Sequence, residues 1–289
     1  MISIDKAERF LWLNARLLDR LRFEWHFRSR DAARIVAAVR PYQNPDGGFG
    51  NAIEPDMRGP GSQPISTVTA LAVLDEVDEV DGDMLLGVLG YLESITGPDG
   101  GLPFVLPSVL DTPRAPWWQP EMGDDGVLSS LNPTGSFLGI FVKNGVEHPW
   151  VERASRFCWQ KLDEMTETSP YEARSIIDFL DHAPDRGRAQ AAWDKVSKLL
   201  LEGGHVATDP GSKGSGFSPL HYASRPDTIA RSLVSTEVMD AFLEHLAEQQ
   251  DEDGGWRFDF PSWTPITTPE WRGVATLDAL RTLWDNGRL

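Results

Sequence analysis

The sequence predicts an all-α fold in which about five or six helical hairpins stand side by side in a ring, the inner helices wrapped by the outer ones. Apolar residues recur at helical spacing in most segments, and no segment shows a sustained period-two alternation. A glycine-pair motif recurs about every fifty residues, a period typical of stacked supersecondary units. Helices apolar on all sides alternate with amphipathic helices. We therefore expect a single domain over residues 1–289.

The repeat consists of an acidic residue, a glycine pair and then, in three of four cases, an aromatic or apolar residue. The acidic residues lie at positions 46, 99, 202 and 253, with gaps of 53, 103 and 51 residues. Because the middle gap is close to two periods, one repeat has lost its motif, and the copy at Glu202-Gly203-Gly204 is degraded. Each glycine pair is expected to close a helix, since glycine takes the left-handed conformation at little cost.

Helical periodicity predicts ten helices, at residues 5–27, 31–43, 66–77, 82–96, 134–145, 149–165, 170–182, 186–201, 229–250 and 273–286. The helix at 66–77 is apolar all round and is expected to be buried on every side. Two long loops, 103–132 and 203–227, interrupt the series. Loops of this length are usually functional, so we expect them to cover one mouth of the ring. The stretch Gly211–Gly216 is predicted to be a lid with Lys213 exposed.

The composition excludes several classes of protein. The formal net charge of −17 argues against a nucleic-acid partner, because phosphate binding needs a basic surface. The single cysteine, Cys158, rules out an internal disulfide and a cysteine zinc cluster. Residues 1–6 lack the pattern of a secretory signal, and no apolar run is long enough to span a membrane. These observations together predict a cytoplasmic protein.

Two segments carry a family resemblance. Gln43 followed by Asp46-Gly47-Gly48-Phe49, and Gln249 followed by Asp253-Gly254-Gly255-Trp256, resemble the QW-like repeat of the terpenoid cyclase and protein prenyltransferase α/α-toroid superfamily. At the level of repeats, nearly the whole chain resembles the short, single-domain bacterial proteins described as containing prenyltransferase or squalene-oxidase repeats. The resemblance implies an α/α toroid and a squalene cyclase-like cavity. It is more specific for the fold than for an activity.

The chain also departs from the better-known members of that superfamily. The Asp-x-Asp-Asp acid of squalene–hopene-like cyclases is absent, and the length allows only one of their two helical domains. Protein prenyltransferases hold zinc with Asp, Cys and His, whereas Cys158 lies in a stretch typical of a packed helix. We therefore expect no metal and no cofactor.

The first candidate site contains Glu54, Asp56 and Arg58, in the segment that joins the first glycine pair to an inner helix. Two carboxyl groups beside one arginine can acquire unequal pKa values, since one pairs with the arginine while the other, if desolvated, stays protonated. A protonated carboxyl group over an apolar cavity could protonate an alkene or a glycosidic oxygen. The alternative is that these carboxylates are turn and capping groups held by Arg58.

Two further segments carry aromatic side chains near charged ones. In the long loop, Arg114 precedes Trp117 and Trp118, which could line a pocket or plug the loop onto the barrel. Before the last helix, the candidate residues are Trp263, Glu270, Trp271 and Arg272, which we interpret as loop residues at the same mouth. A structural Glu270–Arg272 ion pair is the alternative. His221, in the second long loop, is a candidate substrate-binding residue.

Three functions remain open from the sequence. The first is a terpene cyclase-like enzyme that protonates an apolar, isoprenoid-like small molecule in a tryptophan-lined cavity and promotes cyclisation or rearrangement. The second is a carbohydrate-active α/α-barrel hydrolase, lyase or epimerase, which would use tryptophan stacking and a pair of carboxylates. The third is a non-catalytic binding or scaffold protein with a filled centre. The sequence does not predict an oligomeric state.

Overall fold

The computed structural model describes residues 2–80, 82–124, 126–211 and 216–289. It divides into two compact units, Arg40–His205 and Met1–Val39 with Val206–Leu289. Lys213 and most of the predicted lid lie outside the described residues. In the described part no helix is both long and apolar enough to cross a membrane.

The structure is predominantly helical, as predicted. In its described part the α-helices are α1 Ile4–Asn14, α2 Leu17–Phe27, α3 Ala32–Val39, α4 Pro64–Glu76, α5 Gly82–Ile95, α6 Leu131–Lys143, α7 Pro149–Glu164, α8 Pro170–His182, α9 Arg186–Glu202, α10 Thr236–Glu248 and α11 Thr267–Asp285. Four two-residue strands, β1 Leu102–Pro103, β2 Met122–Gly123, β3 Gly126–Val127 and β4 Ser129–Ser130, form the antiparallel pairs β1–β4 and β2–β3 in the first long loop.

The largest differences from the predicted bounds concern three helices. The helix predicted at 5–27 is two helices, because Ala15 and Arg16 are extended between α1 and α2. The helix predicted at 229–250 is a short 3-10 helix, Ile229–Leu233, followed by α10. The helix predicted at 273–286 begins six residues earlier, at Thr267, because Pro269 lies in its first turn, where a missing N–H costs little.

Three of the glycine pairs form the same turn. The first glycine of each pair has a positive φ, between 88° and 96°, and the second donates its N–H to the preceding aspartate side chain. The next residue donates its N–H to a buried threonine hydroxyl, and the three bonds are Phe49 to Thr67, Leu102 to Thr134 and Trp256 to Thr276. The turn thus anchors each repeat to the helix that follows it.

These turns lie several residues beyond the helix end, so they are not the helix caps that the sequence predicted. Glycine is required at their first position because a Cβ there would overlap the backbone of another helix, at Gly87, Arg153 or Lys6. Only the degraded copy is a helix cap. There the second glycine, Gly204, has the positive φ of 67°, and His205 N–H donates to Leu200 in a Schellman arrangement.

Helices α4, α6 and α8 run parallel as neighbours in the unit Arg40–His205. Gly135 and Gly139 of α6 lie against the backbone of Ser175 and Asp178 of α8, in the same chain direction. At the other side of α6, Lys143 Nζ at its C-terminal end lies 2.8 Å from a carboxylate oxygen of Asp75, at the C-terminal end of α4. Parallel neighbours joined by intervening antiparallel helices are the arrangement expected of stacked helical hairpins.

The prediction that α4 is buried on every side is wrong along one stripe. Val68, Thr69, Asp75 and Glu76 are half-buried, and Ala72 is exposed. These positions recur every three to four residues, so they lie on one face of the helix. The side chains of that face are small or polar, which is why an apolar count over the whole segment did not reveal it.

We predict that Gly139→Ala loosens the contact between α6 and α8. The added Cβ would overlap the carbonyl oxygen of Asp178, which belongs to helix backbone and cannot turn aside. Overpacking of this kind costs about 1–3 kcal/mol of unfolding free energy. The matched control is Gly90→Ala in α5, where a Cβ meets no atom within 4 Å. It should gain up to about 1 kcal/mol from helix propensity. Urea unfolding of both variants checks the prediction, and equal effects would contradict it.

Candidate functional site

Two of the candidate segments lie side by side in the unit Arg40–His205. The backbone N–H of Arg58 donates to the main-chain oxygen of Pro113 at 2.9 Å. The backbone N–H of Ala115 donates to the main-chain oxygen of Asp56, also at 2.9 Å. Met57 and Arg114 form an antiparallel bridge between these two bonds. The segment with Glu54 and Asp56 is thus hydrogen-bonded to the segment with the two tryptophans, although about sixty residues separate them.

The two carboxylic residues of this site are buried. Glu54 is 6% exposed and Asp56 is 1% exposed. A tight turn presents them, because Asn51 and Ala52 both adopt positive φ angles, of 57° and 64°, and Asn51 N–H donates to Gly59. Non-glycine residues with positive φ are strained and persist only where the surroundings impose them. Removing two carboxyl groups from water is likewise costly unless they are hydrogen-bonded or paired.

Arg58 supports the same turn, since its Nη1 donates to the carbonyl of Pro55 at 3.3 Å. Within the turn, Met57 N–H donates to the main-chain oxygen of Glu54 at 3.0 Å. Backbone bonds therefore contribute to holding the turn together.

An apolar cluster adjoins the carboxylic residues. It comprises Met57, Ile65, Val105 and Val109, with Phe104 and Trp118 packed against it. The rings of Phe104 and Trp118 are 5.4 Å apart and tilted by 32°. Met57, which follows Asp56 in the sequence, connects the turn to this cluster.

The two tryptophans of the long loop have different environments. Trp118 packs into the apolar cluster, as the plug alternative expected, and Arg114 Nε fixes it by donating to its carbonyl at 2.9 Å. The indole Nε1 of Trp118 is nevertheless buried without a hydrogen-bond partner. Trp117 is 41% exposed and is accessible to a ligand.

The third candidate segment belongs to the other unit, Met1–Val39 with Val206–Leu289. Because α11 begins at Thr267, Glu270, Trp271 and Arg272 lie on a helix, and their interpretation as loop residues is wrong. Trp263 precedes the helix and is half-buried. Since the candidates belong to two units, the single shared mouth stays a prediction.

Arg272 binds residues of the last glycine turn. Its guanidinium donates to Asp253 at 2.8 and 2.9 Å and to Asp251 at 3.2 Å, and it lies 4.4 Å above the ring of Phe10. These contacts hold the pKa of Asp253 below its usual range. Arg272 therefore forms its ion pairs with the turn, and not the expected alternative pair with Glu270. In the other two turns a serine hydroxyl donates to the equivalent aspartate, Ser62 to Asp46 and Ser129 to Asp99.

His221 lies at the end of a short 3-10 helix, Pro219–His221. Its ring is 4.5 Å from that of Phe217 and 5.3 Å from that of Tyr222. The aromatic neighbours make His221 part of a half-buried cluster in the second long loop.

The single cysteine of the sequence is poorly suited to bind a metal. Cys158 is fully buried in α7, and burial raises the pKa of its thiol above the usual range, which leaves it unreactive. Across the described ranges, no group of three or more His, Cys, Asp and Glu side chains is placed to hold a metal ion.

Sequence reasoning missed a buried charge cluster on α2. Asp19 is fully buried, and Arg16 Nε and Arg22 Nη1 lie 2.9 and 3.4 Å from its carboxylate oxygens. The side chains of the two arginines are only 14% and 11% exposed. The available signal was the spacing of three residues between Asp19 and Arg22, which places them on one face of α2.

Glu172, at the start of α8, was also missed. Burial raises the pKa of its carboxyl group above the usual range, with a smaller contribution from the nearby carboxylate of Glu121, while a hydrogen bond from Thr168 opposes the shift. Ser169 caps the helix and accepts from Glu172 N–H. The capping signature, serine followed three residues later by glutamate, could have identified this helix start.

We predict that Glu172→Gln raises the free energy of unfolding more at pH 7 than at pH 4. A raised folded-state pKa means that ionising Glu172 opposes folding, so its favourable contribution exists only below the unfolded pKa of about 4.3 and is lost as pH rises through the folded pKa. Glutamine stays neutral, so its advantage should vanish on acidification. Urea unfolding at pH 7 and pH 4 measures this. Glu237→Gln is the control, since Ser235 lowers the pKa of Glu237 and the pH trend should reverse.

Comparisons with known proteins add fold similarity alone. No family model matches the chain, and no curated protein matches it. Among solved structures, a crystal structure of a protein from Actinoplanes is similar, with a TM-score of 0.60 and 16% sequence identity over 96% of this chain and 97% of that one. At this identity the likeness concerns the helical fold and carries no function.

Proposed function

We propose that this chain is an enzyme that uses carboxyl acid–base chemistry at Glu54 and Asp56, on an apolar, isoprenoid-like small molecule. The observation that supports this best is the pairing of residues 56–58 with residues 113–115, which sets two buried carboxylic residues beside the cluster of Phe104 and Trp118. Buried acid groups next to aromatic faces suit a reaction that forms and then quenches a cation.

In the proposed mechanism, one carboxyl group donates its proton to a carbon–carbon double bond. The π electrons form the new C–H bond, and the adjacent carbon becomes a cation. Trp117 and Trp118 stabilise that cation through their ring faces while a second double bond attacks it or the skeleton rearranges. The other carboxylate finally removes a proton from a neighbouring carbon. Burial of the site keeps water from capturing the cation. No metal or cofactor enters this scheme.

We also propose that the repeats of this chain belong to an α/α toroid. In the first repeat, the Gln43 amide donates to Gly47 and to Met84 near the start of α5. In the last repeat, Gln250, and not Gln249, donates in the same way to Gly254 and to Ser3 at the start of α1. The start of α1 therefore accepts the glutamine amide of the last repeat, as the start of α5 accepts that of the first repeat. This is the closure expected of a ring.

A carbohydrate-active enzyme is the second candidate, and the accessible face of α6 and α8 favours it. Ser136 Oγ donates to Asp178 at 2.6 Å and lies 2.9 Å from Ser175 Oγ. Tyr171, Arg174 and Asp178 are exposed on α8 at a spacing that puts them on one side of the helix. An aromatic ring beside charged and hydroxyl groups is a common way to bind a sugar.

A ligand screen tests the two candidates against each other. A molecule that binds only the folded protein raises its melting temperature by mass action. We expect farnesol to raise it and cello-oligosaccharides to leave it unchanged. The reverse result would favour the carbohydrate enzyme, and no shift with either class would contradict both. The buried, unreactive thiol of Cys158 is compatible with the cytoplasmic location that we propose.

A further inference from the structure

The segment that leads into α11 contains an aromatic cluster apart from the carboxyl site. The rings of Phe258 and Phe260 are 4.5 Å apart, and Phe260 meets Trp271 edge-on at 5.0 Å. All three side chains are half-buried. They belong to the unit Met1–Val39 with Val206–Leu289, so the site can be considered within that unit alone.

Two polar atoms beside this cluster are buried without a hydrogen-bond partner, namely Thr264 Oγ1 and Trp271 Nε1. The backbone of Thr264 is fully used, since its carbonyl accepts from Thr267 N–H at 3.1 Å and from Thr267 Oγ1 at 2.9 Å. Among the polar groups of Thr264, only the side-chain hydroxyl is left without a partner. Thr264 is bonded through its carbonyl to Thr267, the first residue of α11, and Trp271 lies one helical turn further along the same face as Thr267.

Each of these atoms carries a cost. A buried donor without a partner destabilises the folded state, because its hydrogen bonds with water are lost and not replaced. Buried polar groups in folded proteins almost always have a partner, so each exception needs an explanation. The neighbouring hydroxyls show that the segment can satisfy its own groups, because Ser262 Oγ and Thr268 Oγ1 are 2.6 Å apart. Two unsatisfied atoms within eight residues therefore point to an external partner.

A surface depression adjoins the aromatic cluster at Phe258. It has a volume of about 580 Å³ and is lined by Phe258, Thr268, Arg257, Arg272 and the acidic residues 251–253. Its arginines are already paired, Arg257 with Asp251 and Arg272 with both Asp251 and Asp253. The depression thus offers an aromatic wall and room for a small ring, and its cations are not available for an anionic ligand.

We propose that this segment, defined by Phe258, Phe260, Thr264 and Trp271, binds a small neutral molecule with a flat apolar ring and one hydroxyl or carbonyl oxygen. The ring packs against the phenylalanines. The oxygen accepts a hydrogen bond from Trp271 Nε1 and, in an alcohol, also shares one with the Thr264 hydroxyl. The site is separate from Glu54 and Asp56, and it does not depend on the proposed function.

The test compares benzyl alcohol with toluene, which has a ring of the same size without the oxygen. Binding is measured by NMR on protein labelled with 5-fluorotryptophan, with the Trp271 signal assigned through Trp271→Phe. We expect benzyl alcohol to shift the Trp271 signal and to bind about tenfold more tightly than toluene. Trp271→Phe and Thr264→Val should each weaken benzyl alcohol by about fivefold or more and leave toluene unchanged.

Trp284→Phe is the matched control, because Trp284 lies on the same helix with 55% of its surface exposed. This variant should bind both probes as the unmodified protein does. Equal affinities for the two probes would overturn the proposal, as would unchanged benzyl alcohol binding in Trp271→Phe and Thr264→Val. A bound water that bridges Thr264 and Trp271 and that neither probe displaces would overturn it as well.

Discussion

Asp19→Asn is expected to lower the free energy of unfolding by about 3–5 kcal/mol, the largest stability effect that we predict for a single residue. Asp19 is fully buried, and its carboxylate is the counter-charge for Arg16 and Arg22, whose side chains are themselves largely buried. Asparagine keeps the shape but removes the negative charge. The two guanidinium groups then stay buried without their negative counter-charge. The uncompensated cost of removing them from water lowers the free energy of unfolding.

Chemical denaturation of the purified variant measures the effect. Asp83→Asn serves as the control, since Asp83 forms an ion pair with Arg40 in which both side chains are more than half exposed. Solvent and salt screen such surface pairs, so this variant should behave like the unmodified protein. If Asp19→Asn were no more destabilising than Asp83→Asn, the cluster on α2 would contribute little to the fold.

Glu54→Gln and Asp56→Asn should each lower the turnover of an identified substrate by about 10²–10⁴-fold, the range that positioned acid–base groups contribute. Both substitutions keep the size of the buried side chain and remove its ability to exchange a proton. Both substitutions leave the backbone bonds of the turn in place, and circular dichroism of each variant checks that it folds.

Asp111→Asn is the control for this prediction. Asp111 lies in the same long loop but is exposed, so its replacement should leave turnover unchanged. Turnover that survives both Glu54→Gln and Asp56→Asn in folded protein would remove these residues from the mechanism. Loss of turnover in Asp111→Asn as well would point to the loop as a whole.

The sequence predicted helices well where local signals coincide. Helix α8 spans the predicted residues 170–182, because Ser169 caps it and Pro170 occupies its first turn. The break between α1 and α2 was missed, since apolar residues continue through it at helical spacing and the extended residues, Ala15 and Arg16, carry no turn signal. The start of α11 was missed because prolines 265 and 269 are typical of a loop.

The repeat motif was recognised, but its geometry was not. Periodicity located the glycine pairs, whereas the reason for glycine there is contact with a helix distant in sequence. The threonines that anchor the turns, Thr67, Thr134 and Thr276, lie 21 to 35 residues after the aspartates. Such variable spacing hides them from a pattern search.

The sequence predicted the candidate residues individually, but it did not predict which of them the fold brings together. Nothing in the sequence links Asp56 with Ala115, because the bridge depends on how the long loop folds back. Arg272 was grouped with Glu270 since they are neighbours in the chain, yet its partners are Asp251 and Asp253. Long-range ion pairs depend on packing that local patterns do not encode.

The central claim is that Glu54 and Asp56 face a bound substrate, and a crystal structure with a ligand identified by the screen tests it most directly. We predict that the ligand contacts a carboxyl group of Glu54 or Asp56 and the ring of Trp117 or Trp118. A ligand bound in the crystal with neither carboxyl group within contact distance would contradict this account.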